Sequence, residues 1–256
     1  MSDWNSELYL KFEKERTQPS VDLVKSIENI SPERIIDIGC GPGNSTAQLK
    51  KRFENAYILG TDFSPDMIKR AKSDYPDLDF MLFDASRDFE KLVGKFDVVF
   101  SNACIQWVPN HKKLLADMMS ILNPGGVMAV QIPVQERMPV HRIIAEVVLR
   151  DKWKSKINSK RRFFNLEEEE YFDLLSDISS DFRIWKTIYY HRLPSRESIV
   201  DWYSSTGLKP YLEQLNDEEG IEFKNDILTE LKEVYPCAKN GEVVFKFHRL
   251  FLYAVR

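Results

Sequence analysis

The stretch RIIDIGCGPGNSTAQL, Arg34 to Leu49, decides how the chain is read. Arg34 to Ile38 is a short apolar run of the kind that makes a buried strand. Glycines then fall at 39, 41 and 43, and a helical pattern follows, with Asn44 or Ser45 suited to cap it. A glycine-rich turn between a strand and a helix presents backbone N–H groups and lets a ligand approach the main chain closely. Something anionic or nucleotide-like is expected on that turn.

Downstream, strand and helix signals alternate. AYILGTD reads as a second strand. SPDMIKRAKSDYP reads as a helix with Ser64 as N-cap, Pro65 at its first position and Pro76 beyond its end. LDFMLFDA and KFDVVFSNA are the third and fourth strands. HKKLLADMMSILNPGG is a helix closed by a Pro-Gly-Gly turn, and VMAVQIP is the fifth strand. This alternation predicts an α/β fold with a parallel sheet and helices on both faces.

The pattern changes near Pro139. VHRIIAEVVLR is helical, and DKWKSKINSKRRFF is basic and irregular. NLEEEEYFDLLSDI opens a helix with acidic residues in its first turn, as the helix dipole favours, so Glu167 to Glu170 read as a solvated helix start rather than a metal site. FRIWKTIYYHRL and EVVFKFHRLFLYAVR look like strands, with helices at SRESIVDWYSS and DEEGIEFKNDILTELKEVY between them. There is no internal repeat and no low-complexity linker. A single domain over residues 1–256 is expected, with a cofactor core at about 30–133 and a helical insertion or cap at about 139–240.

The 256 residues are 43% hydrophobic and 12% aromatic, which excludes a disordered chain. The net charge of -4, from 36 basic and 40 acidic residues, gives no bulk pull toward nucleic acid or anionic membrane. Cys40, Cys104 and Cys237 are odd in number, and no spacing suits zinc or a disulfide framework. Reduced thiols in a cytoplasmic protein without a metal are expected. No apolar run reaches about 18 residues, so no membrane span is expected. The start, MSDWNSELYLKFEKER, is unlike a signal peptide. The expected partner is a small molecule, bound by a monomer or homodimer.

Asp62 ends the second strand about 20 residues beyond the glycines, where an acid accepts from both hydroxyls of a ribose. A dinucleotide and S-adenosylmethionine then compete. Three features favour the sulfonium cofactor. The third glycine of Gly39-Cys40-Gly41-Pro42-Gly43 comes one position too early for the dinucleotide fingerprint. Asp37 places a carboxylate where a cationic methionine head could be met, and Asp84 ends the third strand, where it can accept from an adenine amino group. Each aspartate alone is equally compatible with a strand end or a turn.

At these residues the sequence resembles the class I S-adenosylmethionine-dependent methyltransferases. DIGCGPGNS is similar to their first motif, GTDFSPDMI to the second, FDA to the third and FDVVFSNACIQWV to the fourth, over roughly residues 30 to 133. The resemblance implies a Rossmann-like seven-stranded, mostly parallel sheet whose last strand is antiparallel. It places Gly39 and Gly41 along the cofactor, Asp62 on the ribose, Met67 over it, and Asp84 with Ala85 at the adenine. Phe63 and Asn102 join this cofactor set.

A closer resemblance, to trans-aconitate methyltransferases, spans nearly the whole chain. It rests on SDWNSELYLKFEKERTQP, SNACIQWVPNH, IWKTIYYHRLPS, IVDWYSSTGLKPYL and FHRLFLYAVR, and departs most at about 135–181. It implies methyl transfer to a carboxylate of a small di- or tricarboxylic acid. A carboxylate is already ionised at pH 7, so no general base is required. Cations should hold the non-reacting carboxylates, and arginine suits this through its bidentate fork. Candidates are Tyr189, Tyr190, His191 and Arg249. Alternation along a strand divides the first group, Tyr189 with His191 and Tyr190 with Arg192. Arg249 needs an anionic partner if it faces inward and none if it faces out at a sheet edge. Gln106 and Trp107 follow the fourth strand, where such sites open, and are expected to position the acceptor. Trp4, Tyr9 and Phe12 form either a lid or an aromatic contact with the core. Other readings left open are another free carboxylate such as a carrier-bound malonyl group, a nucleotide-dependent oxidoreductase, and a non-catalytic cofactor-binding protein.

Overall fold

Four of the five residues of the first strand are buried, and that strand ends up in the middle of a seven-stranded sheet. A computed structural model describes residues 12–158, 162–204 and 206–256. In chain order the elements are α1 (Glu13–Lys25), β1 (Arg34–Ile38), α2 (Asn44–Arg52), β2 (Tyr57–Asp62), α3 (Pro65–Asp74), β3 (Asp79–Leu82), β4 (Phe96–Asn102), α4 (His111–Ser120) and β5 (Leu122–Pro133). There follow α5 (Pro139–Val148), α6 (Asp151–Lys154), α7 (Glu168–Ile178), β6 (Asp181–Leu193), α8 (Glu197–Ser204), α9 (Lys209–Leu212), α10 (Asp217–Val234) and β7 (Val243–Val255).

The strand order is β3-β2-β1-β4-β5-β7-β6. β1 to β5 pair in parallel, and β7 pairs antiparallel with β5. Parallel strands buried on both faces require apolar residues at nearly every position, which is why IIDI and VVFS carry no hydrophobic alternation. α3 begins as its sequence predicts: the Ser64 side chain accepts from the Met67 N–H and Pro65 opens the helix. α4 ends at Ser120 and β5 begins at Leu122, so the Pro-Gly-Gly lies inside the β5 segment, not in a helix-closing turn. There the β4–β5 register shifts between the Phe96 and Val98 pairings.

Two compact units divide the chain. The first comprises residues 16–133, 163–187 and 249–256, and holds the glycine turn and the whole of β1 to β5. The second comprises the described residues of 1–15, 134–162 and 188–248. In the second unit Val140, Ile143, Ile144 and Val147 form the buried stripe of α5, at helical spacing. They share a core with Trp153, Trp202, Tyr203, Phe223 and Phe245. The basic stretch expected to be irregular instead contains α6, because Trp153 is fully buried and its indole N–H donates to Asp226 at 2.7 Å. Two of its cations are paired with acids of α10, Lys152 with Glu222 and Lys156 with Glu219.

Candidate active site

The glycine turn is pinned from below. The N–H groups of Gly39 and Cys40 both donate to the Thr61 carbonyl, at 2.7 and 2.8 Å. Gly39 has φ 77°, and a Cβ there would lie 2.1 Å from the Cys104 sulfur, so only glycine fits. Gly41 has φ 55° and open space where a Cβ would sit, which leaves its backbone approachable from that side. The Gly41 N–H donates to Asp62 Oδ2 at 3.0 Å, while Ser64 N–H donates to Oδ1 at 2.9 Å. These bonds aim the Asp62 carboxylate along the turn, and burial raises its pKa despite them.

Asp37 is fully buried beneath the turn. Its Oδ2 accepts from Ser45 Oγ at 2.6 Å and Thr46 Oγ1 at 2.7 Å. Oδ1 is also buried and has no hydrogen-bond partner among the described residues. Burial pushes the Asp37 pKa to about 6, opposed by the two hydroxyls and assisted by repulsion from Asp62. The hydroxyl expected to cap α2 is thereby spent elsewhere: Gly43, at φ 94°, is the N-cap and no side chain caps it. Ser45 lies within the first turn of α2 and its hydroxyl is aimed down at the Asp37 carboxylate, to which it donates a charge-assisted bond.

At the neighbouring strand ends, Phe63 is 76% exposed and Leu82 53%, an apolar rim beside Asp62. Met67 is half-buried and Ala85 buried. The Asp84 carboxylate is engaged locally, accepting from Ser86 N–H and Oγ at 2.9 and 2.7 Å and pairing with Arg87 at 3.1 Å. Those Ser86 bonds hold its pKa below the ordinary value. Burial raises the pKa of the Cys40 thiol in the turn and pushes the neighbouring Cys104 up to about 12, which favours the protonated form of both.

Beyond β4 the chain turns at Ala103, which has φ 53°. Its N–H donates to the Gln131 carbonyl at 2.8 Å and its carbonyl accepts from Gln106 Nε2 at 2.6 Å. Gln106 is buried and Trp107 half-exposed, its ring 4.6 Å from that of Phe163. His111, at the start of α4, latches this turn. Its Nε2 donates to the Ile105 carbonyl at 2.9 Å, so its Nδ1 accepts from the Tyr171 hydroxyl at 2.6 Å. Burial lowers the His111 pKa and keeps the ring neutral. Neither His111 nor Tyr171 stands out in the sequence, because 60 residues separate them.

Asp37, Gly39, Gly41, Asp62, Asn102, Gln106 and Trp107 thus gather at the carboxyl ends of β1, β2 and β4 within the first unit. Arg249 belongs to that unit too, in register with Pro133 at the end of β5, and is only 6% exposed, which excludes the outward-facing alternative. Tyr189, Tyr190 and His191 belong to the second unit. His191 is buried against the Trp202 ring at 5.3 Å and stacks with Tyr189 at 6.1 Å. Tyr190 and Arg192 face outward, Arg192 bidentate on Glu242 at 2.9 and 3.0 Å. Phe12 packs on Trp202 at 4.9 Å in the second unit's core. Trp4 and Tyr9 lie outside the described residues. Among the described residues no group of His, Cys, Asp and Glu could hold a metal ion, and no helix is long and apolar enough to cross a membrane.

Known proteins share this fold and much of this sequence. Residues 35–126 match the methyltransferase domain family. The whole chain is 40% identical to the trans-aconitate 2-methyltransferases of Escherichia coli and Shigella flexneri, covering 99% of each. Among solved structures, the YcgJ protein of Bacillus subtilis superposes with TM-score 0.60 at 13% identity, over 93% of this chain and 98% of that one. Haemonchus contortus phosphoethanolamine N-methyltransferase 2, solved with S-adenosylhomocysteine, gives TM-score 0.58 at 16% identity over 93% of this chain and 52% of its own, and these likenesses establish a shared fold. With a full-length identity of 40%, the chain belongs to the trans-aconitate 2-methyltransferase family.

Proposed function

We propose that this protein transfers the methyl group of S-adenosylmethionine to a carboxylate of trans-aconitate, giving a monomethyl ester. The full-length 40% identity to trans-aconitate 2-methyltransferases carries the reading. The residues present fit the cofactor. Gly41 leaves space for close approach, Asp62 aims a carboxylate where a ribose diol would lie, and Phe63 supplies an exposed apolar face for a flat ring. The buried Oδ1 of Asp37 suits the ammonium of a methionine head. Met67 and Ala85 complete the apolar side, while Asp84 holds the Asp84–Asp88 turn as much as any adenine.

When bound, the cofactor supplies an electrophilic methyl group on a sulfonium centre. A carboxylate receiving that methyl group would need no proton removed, only alignment with it. Two opposite charges are neutralised, so a dry, aligned site helps most. The chain therefore has to position and to exclude water. Gln106 and Trp107 stand on a turn locked by Ala103, Phe164 and His111. No residue serves as general base. His111 is the one histidine among the first unit's described residues, and both its ring nitrogens are committed. Buried Arg249 serves a non-reacting carboxylate of the acid. The second-unit residues Tyr189 and His191 support that unit's aromatic core. The three thiols, none in a disulfide, suit a reducing cytoplasm.

The test is mass spectrometry of products after incubation with labelled S-adenosylmethionine and a panel of polyacids. A labelled monomethyl ester of trans-aconitate is expected. Labelling of a carrier-bound malonyl group instead would overturn the substrate.

A further inference from the structure

Gln131 is a polar side chain in the middle of an apolar strand. It is fully buried on β5, and neither its Oε1 nor its Nε2 has a hydrogen-bond partner among the described residues. Buried amides are nearly always bonded, and an apolar side chain of similar size would fill the space without the penalty. Two neighbours share the condition: Asn102 Oδ1 and Gln106 Oε1 are also buried and without partners among the described residues.

Strand register places these groups. Asp37, Phe100 and Ala129 are in register across β1, β4 and β5. Two residues further on, facing the same side, come Asn102, Gln131 and, on β7, Phe251. Arg249 is two residues from Phe251 on that same side and in register with Pro133. Asn102 is partly exposed, so the amide pair borders the surface at the carboxyl end of β4. The cofactor contacts proposed above run across the strand ends in order: Asp84 after β3, Asp62 on β2, the glycine turn after β1, Asn102 on β4. The next strand in that direction is β5, about 5 Å further per strand. Gln131 is the buried amide next along this line after Asn102, with Arg249 one strand beyond.

The chemistry separates the two roles. A cation on the attacking carboxylate would hold it but withdraw its charge. A neutral amide donor orients it with far less loss of nucleophilicity. We propose that Gln131 is the orienting residue of the acceptor, its Nε2 donating to the reacting carboxylate of a polycarboxylic acid while Arg249 holds a non-reacting one. This rests on the methyltransferase reading above and assigns which residue selects the carboxylate to be esterified.

Wild-type enzyme and Gln131→Met, similar in length but without the amide, are compared with trans-aconitate for kcat, KM and product monoester identity, and by titration calorimetry with S-adenosylhomocysteine. The expected result is a 10- to 100-fold fall in kcat/KM, cofactor affinity within twofold of wild type, and a mixture of monoesters where wild type gives one. Scrambled esterification is something a merely structural residue would not cause. An unchanged kcat/KM with a single monoester overturns the role, as does an equal loss of cofactor affinity. If the Met variant fails to fold, Gln131→Asn, which keeps the amide one methylene short, is read by the same three measurements. A wild type that binds cofactor but esterifies no polyacid overturns the substrate reading itself, before any variant is made.

Discussion

The Tyr171 hydroxyl donates to His111 Nδ1 at 2.6 Å, joining the start of α4 to α7, 60 residues later. Because the other nitrogen donates to the Ile105 carbonyl, the ring spans two elements and sets the turn that carries Gln106 and Trp107. Removing the hydroxyl leaves a buried acceptor unbonded, at a cost of about 1–3 kcal/mol. Tyr171→Phe is therefore expected to lower the melting temperature by several degrees and to lower kcat with cofactor affinity unchanged. A variant with wild-type stability and kcat would remove the latch from the account.

The same ring gives a pH dependence. Burial depresses the His111 pKa below its ordinary value, so the folded state binds this proton less well than the unfolded chain. The ring's contribution to stability is complete above about pH 6.5 and is lost as pH falls through and below that value. The stability difference between wild type and His111→Gln should shrink from pH 7.5 to 5.5 in thermal melts. A difference that stays constant over that range would contradict a neutral buried ring.

With Asp37 on the cofactor's ammonium as proposed, cofactor binding should depend on pH while the chemistry stays flat. With its pKa near 6, Asp37 is ionised above about pH 7 and available to an ammonium. Below pH 6 its protonation should weaken S-adenosylhomocysteine binding by up to about tenfold per unit. Asp37→Asn should weaken binding at pH 7.5 and flatten this limb in calorimetric titrations. At saturating cofactor, kcat should change little from pH 6.5 to 8.5, because a carboxylate nucleophile needs no deprotonation there. A steep rise in kcat would indicate an acceptor that needs a base.

Asp62 accepts from the Gly41 and Ser64 N–H groups, which holds its carboxylate against the glycine turn proposed to carry the cofactor. Asp62→Ala should cost about 1.5–3 kcal/mol in cofactor binding, the range of charge-assisted hydrogen bonds. Equal Kd values for a folded variant and wild type would remove Asp62 from the cofactor site.

Arg249→Lys keeps the charge and loses the fork. It should raise KM for a tricarboxylate and leave cofactor affinity unchanged, with little effect on a monocarboxylate. Equal impairment of both acids would assign Arg249 to support of the fold.

Much of this protein is local, and so is legible in order along the chain. An apolar run, three glycines and a helical pattern force a strand, a tight turn and a helix wherever the chain is placed. Ser64 and Pro65 start α3 because a cap acts within one turn of its own residue. The alternation of such units implies a parallel sheet. What tertiary structure decided is everything that depends on register or on burial. Ser45, expected as a candidate cap for α2, instead donates with Thr46 to Asp37, which β1 buries beneath them, and Gly43 takes the cap position. Arg249 became a buried cation only when β7 paired with β5, and the pairing of β5 with β4 set Gln131 beside Asn102. His111 found Tyr171 across 60 residues, a distance at which no periodicity carries information. A short-range pattern encodes which element forms, whereas the environment of a charged or amide side chain is fixed by the strands and helices that close over it.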